Sequence, residues 1–301
     1  MCFDPDPYWF KSYLPSWNYT FMHLGSLDWY QLPVLAKTLD EAEDNAKVYV
    51  FWQNDAHGQE YLAAAAQYFP AQGLQIVGNA SVLDPAPYDT LVQGASTTGA
   101  DVVCCFCYPD EVIGLTLAAI TNDYNFDAWV VDPTASFGWF GTTPPIGDNA
   151  TGVTCFAMAN NKTSEDMEWL LDDVLVSELG YENIDLYTYA LFWAALQVWQ
   201  EAVEETGHIL SGEFVVDQND FRAKLASYTS SATGVDTVLG KTWYEIFGTG
   251  GGLLDYQCHT GEIGQWQDGM VEVVGYTGIT GDIPNYVVTA NFTYPKPPWQ
   301  S

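Results

Sequence analysis

Apolar and polar positions alternate most legibly between residues 47 and 132. Five consecutive apolar residues, Val48 to Trp52, end in the polar turn Gln53-Asn54-Asp55-Ala56, and His57-Gly58 opens an alanine-rich segment that runs to Tyr68. A short apolar run that stops in a polar turn before a helical stretch predicts a buried parallel strand. The unit then repeats: strand 47–52, helix 57–70, strand 74–79, helix 87–97, strand 101–107, helix 109–121, strand 128–132. Such alternation predicts βαβ units and a parallel sheet. Right-handed crossovers bring the strand C-termini to one edge. The segments Gln53–His57, Ala80–Asp84, Tyr108–Asp110 and Asp132–Ser136 collect there as loops. In open α/β sheets ligands bind outside that edge, so the loop Gln53–Gly58 is expected to wall a binding cleft.

The flanks are less regular. Tyr19–Leu24 reads as a strand, after which Ser26 is placed to cap a helix reaching Asp44. Residues 137–152 read as a surface loop and Val153–Met158 as a strand. Thr163 or Ser164 begins a helix to Leu179 whose first turn holds Glu165, Asp166 and Glu168, as a helix dipole prefers. Ile184–Glu205 is the longest helix, and Tyr187–Leu196, apolar nearly all round, is expected to be deeply buried. Asp217–Ser227 is a short helix, Thr237–Trp243 extended chain and Phe247–Gly252 a flexible stretch. Residues 264–266 and 270–275 form a hairpin with Asp268-Gly269 as its turn signal.

Charge and composition narrow the function classes. With 8 basic and 39 acidic residues the net charge is −31, which makes nucleic acid and anionic membrane poor partners. No run of apolar residues is long enough to span a bilayer. The start, Met-Cys-Phe-Asp-Pro-Asp-Pro, lacks the basic and apolar regions of an export signal. Yet Asn-x-Ser/Thr sequons occur at Asn18, Asn79, Asn149, Asn161 and Asn291, against about two expected by chance, which leans toward an exported, N-glycosylated protein. The cysteines give no disulfide framework. Cys104, Cys105 and Cys107 share one apolar run without a Cys-x-x-Cys or a paired histidine, so they read as small buried hydrophobes and not as a metal or redox site.

Candidate chemistry is sparse. His57 is one of four histidines. A catalytic reading with Asp55 lacks a nucleophile elbow, since no G-x-S-x-G occurs. Gly248 and Gly250–Gly252 carry no Lys and fit neither the phosphate loop nor the dinucleotide fingerprint. Asp55, Asp101 and Asp132 lack the lysine of a phospho-acceptor site, because no Lys lies between Lys47 and Lys162. Tyr108, directly after a strand, offers a phenol and a ring face to a small ligand.

The order of these elements is familiar. Lys47–Trp52, Asp55-Ala56-His57-Gly58, Gly73–Val77 and Gly99-Ala100-Asp101-Val102-Val103 through Tyr108-Pro109 resemble the second lobe of type I periplasmic binding proteins. The group concerned is the leucine/isoleucine/valine and amide-binding branch that serves ABC importers. Thr242-Trp243, Ile263–Gly269, Val273-Val274 and the tail Tyr294-Pro-Lys-Pro-Pro-Trp299 are similar to its closing segment. The resemblance implies an α/β chain of two lobes with doubly wound parallel sheets, closing over a ligand by a hinge. Lobe two would comprise residues 27–156 with 263–276, lobe one 1–26 with 157–262, and 277–301 an irregular tail. The family carries a further stretch upstream of the point where this sequence starts, so lobe one is expected to be incomplete, with an exposed apolar patch near Tyr187–Leu196.

Site residues carry over by position. His57 stands where the family's amino-acid binders have a ligand-contacting aromatic, and Tyr108 matches a ligand-contacting tyrosine. Thr134 occupies the place of the glutamate that pairs with the ligand's ammonium. A buried ammonium needs a partner, so either Asp132 supplies it or the ligand, like a urea or amide, has none. With Asp55 from the same loop as His57, these residues form the expected ligand-binding set. The implied protein is a non-enzymatic, monomeric, extracytoplasmic solute-binding component for amino acids or related amides. It would partner an ABC permease and need no cofactor or metal. An extracellular sensor domain on the same fold, or an enzyme using His57 and Asp55, are the alternatives.

Overall fold

Seven strands form the main sheet of the computed structural model, which describes residues 14–16, 19–22, 31–83, 85–142, 146–181, 184–248, 251–258, 261–275 and 286–300. The chain begins with β1 (Phe21–Met22) and α1 (Leu32–Ala42), then alternates through β2 (Lys47–Gln53), α2 (Ala56–Ala71), β3 (Gln75–Val82), α3 (Tyr88–Ser96), β4 (Val102–Phe106), α4 (Pro109–Thr121) and β5 (Ala128–Val131). β6 (Thr154–Phe156) follows a stretch of short helical turns, and β13 (Ile263–Gln267) and β14 (Met270–Val274) return much later to complete the sheet. The order is β14-β13-β6-β5-β4-β2-β3. β2 through β6 pair in parallel, and β13 and β14 run antiparallel at one side. This is the mixed, mainly parallel α/β architecture that the alternation of strands and helices predicts.

The apolar run Val48–Phe51 is buried because α1 and α2 cover one face of the sheet and α3 and α4 the other. Val48 and Val50 join the first core, Tyr49 and Phe51 the second, as a two-residue side-chain period requires. Each such side chain contributes about 1.5–3 kcal/mol by leaving water. The cysteines divide in the same way: Cys104 packs in the first core, and Cys105, Cys107 and Cys155 in the second. All the described cysteines are buried free thiols, and among the described residues no cluster of side chains is arranged to hold a metal. No described helix is long and apolar enough to cross a membrane.

The rest of the chain forms smaller units around α5 (Glu165–Glu168, continuing as a π-helix over Trp169–Glu178) and α6 (Thr188–Thr206). A hairpin of β7 (His208–Leu210) and β8 (Glu213–Val215), α7 (Gln218–Leu225), and a second hairpin of β9 (Val235–Thr237) and β10 (Gly240–Thr242) follow. β11 (Tyr244–Phe247) and β12 (Gly251–Leu254) join β1 in a three-stranded sheet.

Several expectations are corrected. β3 continues through Val82, so Ala80–Val82 are strand and not loop. Gly251 and Gly252 belong to β12, where Gly252 lies against the Phe21 ring, and are not a loose connection. Thr237–Trp243 folds back as the β9–β10 hairpin. The long helix starts at Thr188 and is buried on one side only: Ala190, Leu191, Ala194 and Val198 face the core, while Leu196 and Trp199 are 53% and 54% exposed. Exposed apolar side chains are thus present beside the segment where they were expected. Ser26, the expected helix cap, lies outside the described residues. The Asp268-Gly269 turn forms as its sequence demands, with φ of 50° and 85°.

Candidate functional site

β2 and β4 are hydrogen-bonded neighbours from Val48↔Val102 to Trp52↔Phe106, so the loops leaving them emerge side by side. The first loop is tight. A Cβ on Gly58 would lie 2.0 Å from the Gln53 carbonyl oxygen and 2.4 Å from its nitrogen, so only glycine fits. Asp55 caps α2 by accepting a hydrogen bond from the Gly58 amide at 3.0 Å. These constraints put His57 in the first turn of α2. Tyr108 is the residue immediately before α4. The two rings meet, stacked at 5.2 Å between centroids and 3° between planes.

Below them the stack continues inward. Tyr61, one turn along α2, meets His57 edge-on at 4.9 Å, and its own ring stacks on Phe106 at 4.6 Å and Phe156 at 5.9 Å. His57 is 8% exposed and Tyr108 42%. The arrangement is a rigid aromatic column, anchored in the core, with Tyr108 as its open face. Gln53, at the end of β2, fixes the entry of α4: its Nε2 donates to Glu111 at 3.1 Å and its Oε1 accepts from the Tyr108 amide at 3.4 Å.

Asp132 follows β5 and is buried. Its Oδ1 accepts from the Thr134 amide at 3.0 Å and the Thr134 hydroxyl at 2.6 Å. Its Oδ2 accepts no hydrogen bond among the described residues. Burial pushes the Asp132 carboxyl up to about 7, with the Glu111 charge adding to the effect and the Thr134 bonds opposing it. Asp132 acts electrostatically on Tyr61 and, together with Glu111 and Asp55, on Cys107, the residue before Tyr108. The carboxylates and the aromatic column therefore share one corner of the sheet edge. No lysine or arginine lies between Lys47 and Lys162, so none of the edge loops supplies a cation.

A second layer was not legible in the sequence. The Tyr61 hydroxyl donates to Gln31 Oε1 at 3.0 Å, and Gln31 Nε2 donates to the Tyr187 hydroxyl at 2.6 Å. Tyr187 precedes α6, where Asp185 Oδ1 accepts from the Tyr187 and Thr188 amides at 2.8 and 3.1 Å. This chain ties the aromatic column to a helix distant in sequence. Glu262, just before β13, is fully buried, and burial pushes its carboxyl well above the ordinary value. It acts on both Tyr61 and Tyr187.

Of the expected residues, then, His57 and Tyr108 are in contact, Asp132 and Thr134 are bonded to each other, and Asp55 serves as a helix cap. Two apolar cavities are present, neither lined by His57, Tyr108, Asp132 or Thr134: one of about 190 Å³ bordered by Ser136, at the end of the loop after β5, with Asn160, Leu171 and Trp266, and one of about 330 Å³ bordered by Trp199, Phe214 and Phe221. We place the candidate site by its chemistry, at the open edge.

Comparison with known proteins agrees with this fold. A family model described as periplasmic binding protein matches residues 11–250. No curated protein matches the chain. Among solved structures, a putative branched-chain amino acid ABC transporter protein from Silicibacter pomeroyi superposes with a TM-score of 0.72 at 16% identity, covering 97% of this chain and 73% of that one. A leucine-binding protein from Thermotoga maritima gives 0.62 at 12% identity, covering 82% and 65%. An ABC-transporter solute-binding protein from R. palustris, in complex with benzoate, gives 0.64 at 10% identity, covering 85% and 64%. The chain thus spans slightly less than two thirds of the length of the last two.

Proposed function

The chain belongs to the periplasmic binding protein family, and from that premise we propose that it is the solute-binding component of an ABC importer for an amino acid or a related amide. The family is extracytoplasmic, binds small molecules and works with ABC permeases, and its solved neighbours are solute-binding proteins and not enzymes. In this reading the seven-stranded sheet frames one lobe, and the ligand lies on its edge, between Tyr108 and the segments on the α6 side.

One observation carries the choice of ligand class: Asp132 is buried, uses one oxygen on Thr134 and leaves the other unbonded among the described residues. A buried carboxylate of this kind is stabilised by a cationic or N–H donor partner. An ammonium or amide N–H on the ligand supplies it, with the ligand's apolar part against the Tyr108 ring. Benzoate, bound by the R. palustris neighbour, suits this corner less well, since an anion would face Asp132 and Glu111 with no cation from the edge loops.

The test is a thermal-melting panel of amino acids, primary amides, urea and benzoate. Saturation at a hundredfold excess over Kd stabilises a binding protein by about 2.7 kcal/mol. The expected result is a rise in melting temperature with at least one amino acid or amide and none with benzoate. A panel without any shift would remove the proposal, and a shift with benzoate alone would reverse the ligand class.

A further inference from the structure

The five Asn-x-Ser/Thr sequons exceed what composition gives, and the fold sorts the described ones into two kinds. Asn79 lies on β3, the edge strand of the main sheet. The two-residue period of a strand puts Asn79 and the sequon hydroxyl of Ser81 on the same face, and both are exposed. The Trp52 indole N–H donates to Asn79 Oδ1 at 3.1 Å, which fixes the amide and leaves Nδ2 without a hydrogen bond among the described residues. Asn291 and Thr293 are likewise both exposed, and the Asn291 side chain makes no hydrogen bond among the described residues.

The other two are used by the fold. Asn149 pairs with the backbone of Gln300 through both ends of its amide, at 3.2 and 2.6 Å. Asn161 Nδ2 donates to Asp172 at 3.1 Å, its Oδ1 is buried, and the sequon hydroxyl of Thr163 is buried on the Asn160 carbonyl at 2.6 Å. Asn18 lies outside the described residues.

We propose that Asn79 and Asn291 are N-glycan attachment sites and that Asn149 and Asn161 are not. The donor class is a lipid-phosphate-linked oligosaccharide. The Asn Nδ2 forms the new bond to the anomeric carbon while that carbon's bond to the phosphate oxygen breaks. The lipid phosphate leaves with the electron pair, and one amide proton passes to a base of the transferase. At Asn79 the glycan also has a physical use. β3 runs Gln-Ile-Val-Gly-Asn-Ala-Ser-Val with no charge and no proline, and an uncharged edge strand is a template for pairing with other chains that proteins otherwise blunt. A bulky hydrophilic group there obstructs such pairing.

The experiment uses protein purified from the cells that make it naturally, with intact-mass measurement and glycopeptide sequencing. The expected result is sugar on the peptides holding Asn79 and Asn291 and free amides at Asn149 and Asn161. The surface variants Asn79→Gln and Asn291→Gln should each lose the mass of one glycan. Recovery of either target peptide wholly unmodified, or sugar on Asn149 or Asn161, would overturn the assignment.

Discussion

Replacing Asp132 by Asn tests the electrostatics of the site without ligand. Asn keeps an Oδ1 that accepts from the Thr134 amide and hydroxyl and removes the titration. In the wild type, burial moves this carboxyl from 3.8 to about 7. A folded-state value above the unfolded one means that the folded protein holds the proton more tightly. Stability is therefore lost as pH rises from about 4 to about 7, at about 1.4 kcal/mol per pH unit, and the full cost, on the order of 4 kcal/mol, is present above that window. At pH 5 less than half of that cost applies, and at pH 8 nearly all of it, from the same linkage relation. Urea unfolding of both proteins at pH 5 and pH 8 isolates this term, because every other titrating group is common to both. The stability advantage of Asp132→Asn should widen by about 2–3 kcal/mol between the two pH values. Parallel pH curves, or a variant less stable than wild type at pH 8, would refute the claim that the carboxyl is buried without a cation.

Two further changes probe the scaffold. Gly58→Ala forces a Cβ into the Gln53 backbone and should destabilise by about 1–3 kcal/mol in chemical denaturation, disturbing the His57–Tyr108 stack as it does so. Tyr61→Phe keeps the ring stack but leaves Gln31 Oε1, on a residue 1% exposed, without its phenol donor; the expected loss is about 1–3 kcal/mol, and an unchanged midpoint would show that the Tyr61–Gln31–Tyr187 chain does not hold the two regions together.

How much of this was readable in advance follows from where the forces act. The alternation from Lys47 to Val131 is local and strongly periodic, so the strands, the parallel sheet and the placement of His57, Tyr108 and Asp132 on one edge were legible from spacing alone. Identifying Asn79 on an edge strand was not, since strand order comes from tertiary pairing. The hydrogen bond between Gln31 and Tyr187 spans 156 residues, and the burial of Glu262 depends on β13 at Ile263, which rejoins the sheet beside β6, a strand that ends at Phe156; no local pattern carries either. The π-helix over Trp169–Glu178 hides because its Leu and Val positions also fit an α-helix. The β7–β8 hairpin was signalled by Ser211-Gly212, whose φ values of 55° and 88° are those of a tight turn, but its strands are only three residues each.

The most direct test of the account is isothermal titration of the strongest amino acid or amide from the melting panel into wild type, Tyr108→Ala and Asp132→Asn at pH 8 and pH 6. The account predicts wild-type binding that weakens toward pH 6 as Asp132 takes up its proton, by up to tenfold per pH unit below about 7. It also predicts at least tenfold weaker binding in Tyr108→Ala, and loss of the pH dependence in Asp132→Asn. Binding that is equally tight in all three proteins would place the ligand elsewhere and contradict it.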